Sequence, residues 1–140
     1  MDNTVVDRKL EALRVALGRV RAMRGATPDL LAGSADRQDV VVLNLSRAVQ
    51  LCVDISAHLL VASGQPVPAT MGDAFSGLAH LGLLDEALAQ QLRRAVGFRN
   101  LAVHNYEVMD WRLVHALADD EHLRDFERFA AAVLRQRAPG

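Results

Sequence analysis

The segment Arg99-Asn100-Leu101-Ala102-Val103-His104-Asn105-Tyr106 gathers the residue types most suited to chemistry in this chain. It offers a guanidinium that stays charged, an imidazole that titrates near neutral pH, two carboxamides and the only tyrosine of the sequence. An imidazole can transfer protons while a guanidinium stabilises charge on a phosphate. These two groups suffice to cleave RNA without a metal, because RNA supplies its own 2′-hydroxyl as the nucleophile.

A structural interpretation of the same segment is also available. In it, Arg99 is a surface ion-pair partner, His104 is a satisfied histidine at a helix terminus, and Tyr106 is a core ring with its hydroxyl at the surface. On spacing alone, we favour this structural interpretation.

The five-residue spacing of Arg99 and His104 limits how they could act together. On one straight helix the two side chains would point about 140° apart, so they would not share a face. Either the helix breaks between them, or a second copy of the segment from another subunit completes the site.

No other set of residues predicts a familiar catalytic or metal site. The five histidines are too dispersed for a zinc signature, and the single cysteine, Cys52, can form neither an intramolecular disulfide nor a cysteine cluster. The sequence contains no Gly-rich phosphate loop and no Gly-x-Ser-x-Gly nucleophile turn. We therefore expect no metal and no bound cofactor.

Length and composition predict one globular domain covering residues 1–140. Apolar residues make up 51% of the chain and charged residues 24%, as in ordinary globular proteins. The net charge of -1 gives no long-range attraction to nucleic acid or to an anionic membrane. No window approaches the length needed to span a bilayer and no secretory leader opens the chain, so we expect a cytoplasmic protein without membrane contact.

Apolar residues recur at steps of three and four along most of the chain, which predicts helices. The expected helices cover residues 4–24, 36–62, a short stretch from Thr70, residues 85 into the segment described above, 110–118 and 120–137, with a loop at 25–35. Asp54 and His58 lie one turn apart and could pair on one face, and Arg135 and Arg137 would complement the dipole of the last helix. No segment alternates like a strand. The prediction is an all-α bundle of four or five principal helices.

The residues 99–106, following Gly97-Phe98, resemble the Arg-x4-His-x-Tyr motif of the HepT family of HEPN-domain toxins. The helix 44–60 and the stretch 68–79 also resemble that family, so the similarity covers roughly residues 4–135. The resemblance implies a HEPN-type up-and-down helical bundle and a homodimer whose two motifs face each other across a cleft. It also implies a ribonuclease that restrains growth, without fixing whether messenger or transfer RNA is the target.

The same resemblance implies roles for individual residues and a partner. Arg99 and His104 would be catalytic, and Asn100 would assist beside the phosphate. Tyr106 would accept AMP from ATP, transferred by a small MNT-type nucleotidyltransferase antitoxin that thereby neutralises the toxin. The alternative is a non-catalytic HEPN module that binds a nucleotidyltransferase or nucleotide as a scaffold.

Overall fold

Every regular element that the computed structural model describes, over residues 3–136, is a helix. The α-helices are α1 (Asn3–Met23), α2 (Pro28–Ala32), α3 (Ala35–Ala62), α4 (Met71–His80), α5 (Glu86–His104), α6 (Trp111–Leu117) and α7 (Asp120–Arg135), and a 3₁₀ turn covers Tyr106–Val108. Five of these helices have ten or more residues. The predicted all-α class is confirmed.

Short polar side chains open the helices after α1 by binding backbone N–H groups that have no partner within the helix. The Thr70 hydroxyl, for example, accepts a hydrogen bond of 3.1 Å from the N–H of Asp73, as its sequence position predicted. Asp85 begins α5 in the same way, through a bond of 2.8 Å from the N–H of Leu88. Because each cap acts on a backbone N–H only three residues away, the sequence alone predicts where these two helices begin.

The structure differs from the prediction at two places: one predicted loop contains a helix, and the last helix ends earlier than expected. The predicted loop 25–35 contains α2, which is capped by Thr27 and has Pro28 at its first position. Its five residues are too few to show helical periodicity, so the pair Thr27-Pro28 was the one signal of this helix in the sequence. At the other end, α7 ends at Arg135 rather than at Arg137, which lies outside the described residues.

Helices α1, α3, α5 and α7 alternate in direction. The end of α1 lies beside the start of α3, where Arg37 Nη1 donates to the carbonyl of Met23 over 3.2 Å. Arg21, near the end of α1, pairs with Asp120 at the start of α7. The result is an up-and-down four-helix arrangement, with α4 packed between α3 and α5.

The central helix α3 supplies much of the core. By length and composition it could cross a bilayer, so the expectation that no segment approaches that length is wrong. Within the bundle, however, 56% of its most apolar 18-residue window is buried. Its apolar character is therefore that of a core helix packed against α1, α4 and α5.

The predicted pairing of Asp54 with His58 is wrong. Asp54 instead accepts a hydrogen bond of 2.8 Å from Gln50 and lies 3.4 Å from the ammonium of Lys9. Helical side chains lean toward the N-terminus of their helix, which directs Asp54 back toward Gln50. The Nε2 atom of His58 is buried and has no hydrogen-bond partner among the described residues.

Helix α6 is fixed at the end of the bundle where α1 ends and α3 begins. The buried His115 contacts the carbonyl of Gly25 through Nε2 at 2.9 Å, and Arg24 Nε donates to the carbonyl of His115 at 2.8 Å. These bonds hold the segment that follows the 99–106 motif against the body of the protein.

Candidate active site

Helix α5 runs without a break through Arg99 and ends at His104. Gly97 lies inside it, and a Cβ at that position would meet no atom within 4 Å. Gly97 therefore neither breaks the helix nor permits a close approach within this chain. The first explanation for the five-residue spacing, a helix break between Arg99 and His104, is wrong.

The unbroken helix separates the two predicted catalytic side chains. Arg99 is half-buried, whereas Asn100 and His104 are exposed and lie about 40° apart on one face. Arg99 Nη1 donates a hydrogen bond of 3.2 Å to Asn100 Oδ1. Asn100 thus contacts Arg99 and shares a face with His104, while Arg99 and His104 themselves point about 140° apart.

The alternative interpretation of Arg99, as a surface ion-pair partner, is not supported. Within residues 3–136, Arg99 forms no ion pair, and its contact with Asn100 is its one side-chain hydrogen bond. A guanidinium that no carboxylate neutralises stays available to a phosphate.

Tyr106 begins the 3₁₀ turn two positions after the end of α5, and both its ring and its hydroxyl make contacts. Its ring packs edge-on against Trp111, with centroids 5.9 Å apart and planes at 72°. Its hydroxyl donates a hydrogen bond of 2.5 Å to Asp39 Oδ1. Partial burial, helped by the Asp39 carboxylate, raises the pKa of Tyr106 to about 12. The phenol therefore carries its proton at neutral pH.

Sequence reasoning missed Asp39 and Trp111 as parts of this site. Asp39 precedes Tyr106 by 67 positions and lies in the second turn of α3. It reaches the motif because the start of α3 and the end of α5 meet at the same end of the bundle. Nothing in the sequence around Asp39 distinguishes it from other acidic residues near a helix start.

Apolar side chains surround the motif at the surface. Leu101, Val103 and Val108 have exposed fractions of 40%, 54% and 72%. Each of the three is a large apolar side chain left open to solvent near the motif. Residues 3–136 contain no group of three or more His, Cys, Asp or Glu side chains placed to hold a metal ion.

The comparison with known proteins agrees with this architecture. A family model described as "Ribonuclease HepT-like" matches residues 13–133. The chain is 30% identical to an mRNA nuclease HepT of Shewanella oneidensis over 132 residues, covering 91% of this chain and 94% of that one. It is 24% identical to a tRNA nuclease HepT of Aphanizomenon flos-aquae over 110 residues, covering 79% of this chain and 75% of the relative.

Solved structures give the same result. A tri-AMPylated HEPN toxin of Shewanella oneidensis, in complex with an MNT antitoxin, matches with a TM-score of 0.89 and 28% identity, covering 96% of this chain and all of the toxin. A toxin–antitoxin structure with AMP-PNP matches with the same score and coverage. The HEPN-type fold and the resemblance predicted from the motif are confirmed. The chain belongs to the HepT-like ribonuclease family.

Proposed function

We propose that this protein is a metal-independent endoribonuclease toxin, neutralised when a cognate MNT-type nucleotidyltransferase transfers AMP to Tyr106. The observation that carries the proposal is the intact Arg99–Tyr106 motif at an open helix end, in a chain that matches the ribonuclease family over residues 13–133. Relatives named as mRNA and tRNA nucleases, and a tri-AMPylated relative bound to its antitoxin, support it. RNA and ATP are both cytoplasmic, so we place its action there.

In the proposed reaction the 2′-hydroxyl of RNA attacks the adjacent phosphorus, and the leaving 5′-oxygen takes up a proton. His104 is the group that moves protons, because its exposed imidazole can both donate and accept one. Arg99 binds the phosphate oxygens as negative charge builds up on them, and Asn100 orients Arg99 through their 3.2 Å hydrogen bond. The products are a 2′,3′-cyclic phosphate, or a 3′-phosphate after hydrolysis, and a 5′-hydroxyl.

A homodimer would resolve the separation of Arg99 from His104. Two copies related by a two-fold axis can supply an arginine from one chain and a histidine from the other, or two histidines as acid and base. The exposed Leu101, three positions before His104 on the same face of α5, gives such a contact apolar area to bury.

Mixing two inactive variants tests the shared site. If Arg99 of one chain works with His104 of the other, a heterodimer of Arg99→Ala and His104→Ala contains one complete site. Random exchange should then restore about one quarter of the wild-type rate, since half of the dimers are mixed and each has one of two sites. No recovery after verified subunit exchange would contradict a site built from Arg99 and His104 of opposite chains.

Cleavage itself is tested with RNA in EDTA. Wild-type protein should cut RNA, while His104→Ala and Arg99→Ala should each lose at least about 100-fold in rate, the usual contribution of a proton-transfer or charge-stabilising group. His80→Ala is the matched control, because His80 is also an exposed histidine at the last position of a helix. If the wild type cuts no faster than the two motif variants, the non-catalytic scaffold becomes the better explanation.

The modification of Tyr106 is tested by mass spectrometry after incubation with the transferase and ATP. The mass of one or more AMP groups should appear on the Tyr106 peptide, and Tyr106→Phe should remain unmodified. An AMP group beside Arg99 and His104 would block RNA by occupying space and by repelling its phosphates. Absence of modification in an active toxin–transferase pair would contradict this part of the proposal.

A further inference from the structure

We propose that Asp39 is the proton acceptor for AMP transfer to Tyr106, so that the toxin itself supplies a catalytic group for its own neutralisation. This inference rests on the proposed role of Tyr106 as the AMP acceptor. It assigns to the toxin a step that would otherwise be left to the transferase.

The first observation is geometric. Asp39 Oδ1 lies 2.5 Å from the phenolic oxygen of Tyr106, the atom that would form the new bond to phosphorus. That distance is a short O–H···O hydrogen bond, so the proton can pass directly to the carboxylate. Trp111 packs edge-on against the same ring, so the hydroxyl cannot turn away from α3 without losing that ring contact.

The second observation concerns the availability of the carboxylate. Asp39 is exposed and forms no ion pair with any residue between positions 3 and 136. Other carboxylates near helix starts are used differently: Asp85, Asp110 and Asp119 all accept hydrogen bonds from backbone N–H groups. Asp39 is therefore free to accept the proton of Tyr106.

The third observation is chemical. A phenol is protonated at neutral pH and is a weak nucleophile, and the raised pKa of Tyr106, about 12, makes loss of its proton harder still. The hydrogen bond to Asp39 favours the protonated form in the resting state. During transfer the same contact provides a direct route for the proton.

The phenolic oxygen of Tyr106 attacks the α-phosphorus of ATP, and the bond from that phosphorus to the oxygen bridging to the β-phosphorus breaks. Pyrophosphate leaves with the electron pair. The phenolic proton passes to Asp39 Oδ1 and then to water.

The test compares substitutions at Asp39 in the complex of the full chain with its cognate transferase. Single-turnover addition of the first AMP is followed by intact mass spectrometry at saturating ATP and transferase. Asp39→Asn keeps an oxygen that can accept the hydrogen bond but cannot take up the proton, whereas Asp39→Ala removes both functions. We expect both variants to lose at least about 100-fold in rate and Asp39→Glu to recover part of it.

Asp36→Asn is the matched control, because Asp36 is an exposed carboxylate one turn earlier on α3 without a contact to Tyr106. It should be modified at the wild-type rate. Circular dichroism and the affinity for the transferase, measured on every variant, separate a loss of the chemical step from a loss of folding or docking.

Three outcomes would overturn the inference. If Asp39→Asn is modified within about threefold of the wild-type rate, Asp39 at most positions the hydroxyl and the proton leaves through the transferase. If Asp39→Asn is slow but Asp39→Ala is not, the effect does not come from loss of a base. If wild-type Tyr106 is never modified, the proposed AMP acceptor is wrong and the inference falls with it.

Discussion

The single tyrosine of the chain makes its ionisation directly measurable. Partial burial and the Asp39 carboxylate raise the pKa of Tyr106 from 10.0 to about 12. A shift of two pKa units corresponds to roughly 2.7 kcal/mol. Because the side chain remains partly open to solvent, we expect the shift to change the free energy of unfolding by only about 1 kcal/mol. Because the folded-state pKa is the higher one, this stabilisation is complete below about pH 10 and is lost as the pH rises through about 12.

The assay is an alkaline titration of tyrosinate absorbance, with helical circular dichroism followed in parallel. Folded wild-type protein should titrate near pH 12. Asp39→Asn should titrate at a lower pH that is still above 10, because partial burial, the larger cause of the shift, remains. As the pH rises from about 10 to about 12, the free energy of unfolding of Tyr106→Phe should fall by about 1 kcal/mol less than that of the wild type. A wild-type midpoint near pH 10 with the helical signal intact would refute the Asp39–Tyr106 contact.

Further predictions concern stability. Gly77→Ala should destabilise by about 1 kcal/mol in urea unfolding, because its Cβ would lie 2.9 Å from the side chain of the buried Leu60. Gly18→Ala, with nothing within 4 Å of its Cβ, should instead stabilise by about 0.5–1 kcal/mol, and equal effects at the two glycines would contradict this packing. Asp119→Ala should lose about 1 kcal/mol at neutral pH, because Asp119 caps α7. Partial burial tends to raise the pKa of Asp119, but hydrogen bonds from the backbone and ring of His122 outweigh it and lower the pKa. The deficit of Asp119→Ala should therefore shrink as the pH falls through that lowered pKa, which thermal melts at neutral and acidic pH would show.

Local patterns in the sequence determined most of the helices. The starts at Thr70 and Asp85 were predictable because an N-cap acts on a backbone N–H only three residues away. The long α3 was predictable because its apolar residues repeat over many turns. Helix α2 was not, since five residues carry no repeat.

The sequence also singled out the motif, because the residue types of Arg99, His104 and Tyr106 and the family resemblance are both properties of the chain itself. The tertiary structure decided what each of them contacts. Helix α5 is continuous, so Arg99 and His104 point apart. Asp54 contacts Gln50 and does not pair with His58.

Only the tertiary structure could bring Asp39 to the hydroxyl of Tyr106. The two residues are 67 positions apart, and no periodicity or cap links them. They meet because antiparallel packing of α3 and α5 sets the start of one helix beside the end of the other. That packing follows from burying the apolar faces of all four long helices together, which is a property of the whole bundle and not of any one segment.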